Sequence, residues 1–291
     1  MTERNEKIPM AICYDFDGTL APGNMQEYGF IEQLGMTPKM FWTTSNQLAR
    51  EQKGDAILSY MLRMKEESEI HKLPFTKEAF KQYASQVELF PGVEKWFSRI
   101  NDYADKRGVA LEHYIISSGL KEMVEGTSIA PYFKEIFASS FMYNDKNEAV
   151  WPALVVNYTN KTQFLYRINK GCLDVSDNDL LNSHMEDSEK PMPFSNMIYI
   201  GDGETDIPSM KTVKREGGYA IAVYQRHVPI QEQKVRNLVG VERADVIAPA
   251  DYRPETPMDV FVKGIIDKIV ADTHLKTVQE ALNQIVLSEE K

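Results

Sequence analysis

The stretch AICYDFDGTLAPG, residues 11–23, decides the fold. An apolar run ends there, two carboxylates follow with one residue between them, and Gly18-Thr19 comes next. Residues 8–14, IPMAICY, are bounded by charge before and by Asp15 after, which predicts a short buried strand. A single Asp suffices to end a strand in a turn. Asp15 and Asp17 stand two apart, so on an extended chain they share a face. Gly18 lets neighbouring groups come close to the backbone. The pattern predicts a site rather than a turn.

Outward from that strand, the pattern between Met25 and about Gln86 is helical. An apolar stripe of Ile57, Leu58, Met61 and Leu62 predicts one helix of this stretch, and Thr76 is placed to cap another. Residues 22–88 are therefore expected to form a helical insertion, and residues 1–21 with 89–291 the α/β core. Val93, Trp96, Phe97, Ile100 and Ala104 define the inner face of a further helix, closed by Gly108. VALEHYIISSG predicts a second strand that ends at Ser117-Ser118-Gly119. A hairpin follows, turning at Asn144–Glu148, and then a helix that opens at Lys161 and closes at Gly171. The polar residues 172–191 read as loop or short irregular helix. FSNMIYIGDGETD repeats the opening theme, a strand running into Gly and Asp. Two more strands and a long helix from about Pro257 complete the chain. The expected fold class is α/β, a Rossmann-like doubly wound and mostly parallel sheet with a helical insertion and a β-hairpin excursion.

Composition narrows the function. The chain has 291 residues, a net charge of −10 and a pI of about 5.1, the wrong balance for a nucleic-acid binder. Two cysteines, Cys13 inside an apolar run and Cys172, argue against a disulfide framework. No apolar leader opens the sequence, and no stretch reaches the roughly 18 apolar residues of a membrane span. The expectation is a cytoplasmic protein that binds neither membrane nor nucleic acid, with its oligomeric state open. The five histidines are scattered without metal-ligand spacing.

In doubly wound sheets, ligands bind beyond the carboxyl ends of the strands. That rule gathers Asp15, Asp17, Ser117, Asp202 and Asp206, with Lys161 at a helix start. Two unneutralised carboxylates ~4 Å apart repel by about 4 kcal/mol at an effective dielectric near 20. Such a group calls for a cation, and hard oxygen ligands select Mg²⁺. DFDGTL, IISSG, the helix-opening Lys161 and IGDGETD, in this order, resemble the four motifs of the haloacid dehalogenase-like phosphohydrolase superfamily. The resemblance spans most of the chain.

The resemblance implies a Mg²⁺-dependent phosphatase that hydrolyses a small soluble phosphomonoester through an aspartyl-phosphate. Asp15 is similar to the nucleophile and Asp17 to the general acid/base. Gly18, Ser117, Ser118 and Lys161 correspond to phosphoryl-binding positions. Asp15, the backbone carbonyl of Asp17, Asp202 and Asp206 correspond to the metal site. The insertion resembles a C1 cap of the phosphoserine phosphatase-like branch, with Glu27, Arg50 and Arg63 as its candidate polar contacts. LAPGNMQE after the first motif, the extended hairpin and the polar stretch at 172–191 depart from that branch, so phosphoserine is not carried over as substrate. The alternatives are a phosphotransferase or mutase of the same superfamily, and a phosphate- or metal-binding regulatory module with little turnover.

Overall fold

In a computed structural model that describes residues 7–228, 232 and 243–289, β1 (Ile8–Tyr14) lies near the middle of a seven-stranded sheet. Its side chains alternate. Met10, Ile12 and Tyr14 enter one core cluster, and Ala11 and Cys13 enter another on the opposite face. An unbroken apolar run is what a strand covered on both faces requires. The spatial order is β4-β3-β2-β1-β5-β6-β7. The other strands are β2 (Val109–Leu120), β3 (Phe133–Tyr143), β4 (Ala149–Leu154), β5 (Met197–Gly201), β6 (Tyr219–Tyr224) and β7 (Val246–Pro249). Every pairing is parallel except that of β3 with β4.

The helices were legible from their apolar periods. On the first face lie α5 (Val93–Asp105), through Trp96, Phe97 and Ile100, and the C-terminal α10 (Pro257–Glu289), through Met258, Val262 and Ile266. On the second lie α7 (Lys161–Lys170), through Phe164, Leu165 and Ile168, and α9 (Ile207–Arg215), through Met210 and Val213. The expected doubly wound α/β architecture is the one found. Cys13 and Cys172 are both buried free thiols. Among the described residues no helix is long and apolar enough to cross a membrane.

Between β1 and β2 the chain forms α1 (Phe30–Gln33), α2 (Pro38–Gln52), α3 (Ala56–His71) and α4 (Lys77–Ala84). Thr37, Asp55 and Thr76 cap α2, α3 and α4, each side chain accepting from backbone N–H groups of the first turn. The stripe drawn on α3 needs correction. Leu58 and Leu62 are 43% and 48% exposed, while Tyr60, Met61 and Met64 are buried. The buried face runs through Ile57, Tyr60, Met61 and Met64 at helical spacing, and Leu58 and Leu62 lie roughly a third of a turn or more from its centre.

The two ends of this helical segment meet where the Phe90 N–H donates to the Leu20 carbonyl at 2.9 Å. The hairpin of β3 and β4 holds its far end. Ala149 N–H donates to Phe75 O at 2.9 Å, Lys77 N–H to Asn147 O at 3.3 Å, and Phe141 stacks on Phe80 with centroids 5.7 Å apart. Residues 172–191 contain a short helix, α8 (Asp179–Asn182). Buried Arg167 orders this stretch by donating to the carbonyls of Asp174, Val175 and Asp177. Of the core span expected from sequence, residues 1–6, 229–231, 233–242 and 290–291 lie outside the described residues.

Candidate active site

β1 is flanked by β2 on one side and β5 on the other, so the order of strand addition reverses there. The crevice beyond such a reversal is where doubly wound sheets bind ligands. A pocket of about 520 Å³ occupies it. Asp15 and Asp17 enter it from the end of β1, Ser117, Ser118 and Gly119 from the end of β2, and Asp202 from the turn after β5.

Asp15 is held by two donors. Its Oδ1 accepts the Phe16 N–H at 2.8 Å and its Oδ2 meets Lys161 Nζ at 2.8 Å. Lys161, wholly buried in the first turn of α7, also reaches Asp206 Oδ1 at 2.8 Å. Asp206 takes the Tyr199 hydroxyl at 2.7 Å on the same oxygen and the Gly203 N–H at 3.3 Å on the other. It is therefore the fixed anchor of the ammonium. Asp17 stands apart from this group, its Oδ1 accepting the Met25 N–H at 2.8 Å.

Glycines make room for the carboxylates. A Cβ on Gly18 would sit 2.2 Å from Asp202 Oδ2, and φ there is +74°. A Cβ on Gly119 would lie 3.0 Å from Asp17 Oδ2 and closer still to Met25.

Burial, opposed by Lys161, raises Asp15 to about 6. Asp17 has no such partner. Burial and then the Asp15 charge lift it to about 8. Burial pushes Lys161 down, but Asp15 and Asp206 together outweigh it and keep the ammonium charged. The two aspartates of the opening motif are thus pushed to different extents, Asp15 held toward its carboxylate by Lys161 and Asp17 driven toward its carboxylic acid.

The donor set fits a divalent cation. Asp15, Asp202 and Asp206 each offer an oxygen within 4.8 Å of the others. Burial and then the charges of Asp206 and Asp15 raise Asp202 well above the carboxylate range. No donor among the described residues hydrogen-bonds to Asp202, whereas Asp206 is engaged on both oxygens. A cation of the Mg²⁺ type would complete Asp15 and Asp202, with Asp206 behind them. The Asp17 carboxylate is outside this group, and only its backbone carbonyl was expected to face a metal.

Ser117 and Ser118 both line the pocket. Ser117 Oγ accepts the Gly119 N–H at 3.0 Å, while buried Ser118 Oγ has no partner among the described residues. Of the three polar residues anticipated from the helical insertion, Glu27 lies beside the pocket, accepting from Trp42 Nε1 and Asn24 Nδ2, both at 2.7 Å. Arg63 pairs with Glu66 and Glu67 on its own helix, and neither it nor Arg50 lines the pocket. His113 is buried between the Tyr14 hydroxyl and Asn101, and burial presses it down to about 3, so it stays neutral in the core.

Sequence reasoning missed Asn24, Gln26, Trp42, Tyr60, Tyr158 and Thr205, which also line the pocket. Gln26 and Asn24 lie in LAPGNMQE, the stretch already marked as unusual. Tyr60 sits beside Met61 of the apolar stripe on α3. It is 4% exposed, yet its hydroxyl donates to Ser118 O at 2.7 Å across the pocket.

Similar proteins share this frame. A Borreliella burgdorferi protein named only as uncharacterized is 27% identical over 290 residues, covering 89% of this chain and 96% of its own. The fold is shared with a haloacid dehalogenase family hydrolase of Salmonella enterica serovar Typhi at a TM-score of 0.52 and 20% identity, covering 78% of this chain and 67% of that one. It is shared too with a substrate-bound phosphoserine phosphatase at a TM-score of 0.51 and 17% identity, covering 83% and 93%. Residues 12–211, more than half of the chain, match the family described as haloacid dehalogenase-like hydrolase. The resemblance first noticed in DFDGTL therefore holds from β1 through β5, and this chain belongs to the haloacid dehalogenase-like hydrolase family.

Proposed function

We propose that the chain is a Mg²⁺-dependent phosphatase that hydrolyses a small phosphomonoester through an aspartyl-phosphate on Asp15. The observation that carries this reading is the placement of Asp15 and Asp17 in one pocket at the end of β1, Asp15 Oδ2 paired with Lys161 Nζ at 2.8 Å and Asp17 bound instead to the Met25 N–H. Acid and nucleophile made from two like residues need environments that push them apart.

Asp15 attacks phosphorus as the bond to the leaving oxygen breaks, and Asp17 gives its proton to that oxygen. Asp17, now a carboxylate, takes a proton from water as the water oxygen attacks the phosphoryl group and the bond to Asp15 breaks. Ester and water become alcohol and phosphate, and both aspartates return to their starting states. The Lys161 ammonium holds the Asp15 oxygen in place and offsets charge near the phosphoryl group. Ser118 Oγ, unpartnered, and the Ser117 hydroxyl are available donors to phosphoryl oxygens. Mg²⁺ held by Asp15 and Asp202 supplies electrostatic relief between the nucleophile and the anionic ester. Residues 22–88 act as the cap that covers the site and excludes water. The substrate is a soluble metabolite, and two buried free thiols suit a reducing cytoplasm.

The test is phosphate release from an aryl phosphomonoester, with and without Mg²⁺, for the wild type and Asp15→Asn. Turnover that needs both the metal and Asp15 supports the proposal. An unchanged rate in Asp15→Asn overturns it, and an occluded phosphoenzyme without phosphate release would mean a phosphotransferase or mutase.

A further inference from the structure

The phosphoryl end of the pocket is defined by Asp15, so the leaving group must rest on the opposite wall, which comes from the helical insertion and from the loop before α7. That wall is aromatic. Trp42 and Tyr60 meet edge to face with centroids 5.7 Å apart, Tyr158 lines the same space, and Ile57 and Ala56 fill between. Among the described residues no Arg or Lys lines the pocket; its acidic side chains, Asp15, Asp17 and Asp202, stand at the phosphoryl end, and the nearby Lys161 ammonium is shared between two carboxylates.

Two further features bear on what this wall accepts. Trp42 Nε1 donates to the Glu27 carboxylate at 2.7 Å. An indole that donates to an anion carries more electron density over its face, which strengthens its attraction for a cation. Gln26 is 1% exposed and lines the pocket, and its Oε1 has no partner among the described residues. A buried acceptor left in this state is destabilising unless a ligand donates to it.

Resting on the phosphatase reading, we infer that the substrate is the phosphate ester of an amino alcohol, its ammonium held against Trp42 and Tyr60 with Gln26 accepting from it. A carboxylate on the leaving group, as in phosphoserine or phosphoglycolate, would meet aromatic faces and the Gln26 Oε1 acceptor, with no Arg or Lys among the described lining residues to pair it. Against an equally sized neutral alcohol, a cation over a partly desolvated Trp face gains about 1–2 kcal/mol, roughly a tenfold preference.

Two measurements test this. The first compares kcat/KM for phosphoethanolamine, phosphocholine, glycerol phosphate and phosphoglycolate, in the wild type and in Trp42→Leu. The ammonium esters should exceed glycerol phosphate about tenfold and phosphoglycolate should be poorest. In Trp42→Leu the preference over glycerol phosphate should collapse toward one. Phosphoethanolamine ahead of phosphocholine would show that Gln26 takes an N–H, and equal rates that the ring face alone selects. The second measurement titrates choline and ethanolamine into wild-type protein and Trp42→Leu by calorimetry, which needs no turnover. Phosphate release from all esters without an ammonium preference overturns this inference and leaves the phosphatase standing. Binding of the free amino alcohols without turnover of any ester removes the phosphatase and keeps the cation site. Neither binding nor preference removes the site.

Discussion

Asp17→Asn separates the electrostatics of the site from its catalysis. The amide keeps an acceptor for the Met25 N–H, which Asp17 Oδ1 now receives at 2.8 Å, so the local geometry should persist. What changes is a titration. In the folded protein the Asp17 carboxyl titrates at about 8 instead of the ordinary 3.8. A folded value above the unfolded one means that the folded state binds more protons between those limits, so stability is lost as pH rises through them. Between pH 5 and pH 8 the ceiling on that loss is ~4 kcal/mol, at about 1.4 kcal/mol per pH unit. Asp17 borders the open pocket, and water there screens part of the effect, so about half of it, ~2 kcal/mol, is expected. Asn does not titrate. The stability of the variant relative to the wild type should therefore grow steadily by ~2 kcal/mol between pH 5 and pH 8 and level off above pH 8. Urea unfolding of both proteins in metal-free buffer across that range is the assay. A stability difference that stays flat with pH would refute the raised Asp17 and with it the argument that this residue waits as an acid. At the same time phosphate release in Mg²⁺ should fall about 10²–10⁴-fold.

Three other substitutions probe the remaining parts. Gly18→Ala places a methyl 2.2 Å from Asp202 Oδ2 at a φ of +74°, so it should cost ~2 kcal/mol in urea unfolding and abolish any thermal stabilisation by Mg²⁺. Lys161→Met leaves Asp15 and Asp206 without their shared cation and should cost about 3–5 kcal/mol at pH 8, less at pH 5 where Asp15 can protonate. Asn157→Asp replaces the Nδ2 that donates to Asp55 Oδ2 at 2.8 Å with a carboxylate oxygen. It should lower global stability by only ~1 kcal/mol while speeding amide exchange in the first turns of α3.

The opening motif made the core legible because strand burial and carboxylate placement are both local properties of the chain. IPMAICY had to be covered on both faces, and Asp15 and Asp17 had to emerge together from its end. Their partners Ser117, Lys161, Asp202 and Asp206 could be gathered only by the rule for doubly wound sheets, since nothing local joins residues so far apart in sequence. The wall facing them was not legible. Tyr60 and Met61 sit side by side on α3 with almost the same burial, yet one lines the pocket and the other does not. Which side of a helix borders a cavity depends on how the helical segment docks on the sheet, and no single-helix period contains that. Leu58 and Leu62 misled for the same reason, because an apolar residue on a helix surface carries no label for the partner it faces. Arg63 was a candidate contact on polarity alone, and its polarity is met instead by Glu66 and Glu67 on its own helix.

The hairpin that clasps the far end of the helical segment changes what opening the site must involve. Phe75 and Lys77 are bonded to β4 and the hairpin turn, and Phe80 is stacked on β3, so α4 is mechanically a continuation of the sheet edge. By contrast, α2 and α3 reach the core side of the pocket through few polar ties, chiefly Asp55 to Asn157 and the Tyr60 hydroxyl to the Ser118 carbonyl. If the site opens, the moving part would be α2 with α3, shorter than the whole insertion, hinged at the clasp. These helices carry Trp42 and Tyr60. A small angular excursion at that hinge would carry both rings away from the phosphoryl end together, so admission and release of the alcohol would be a single stroke.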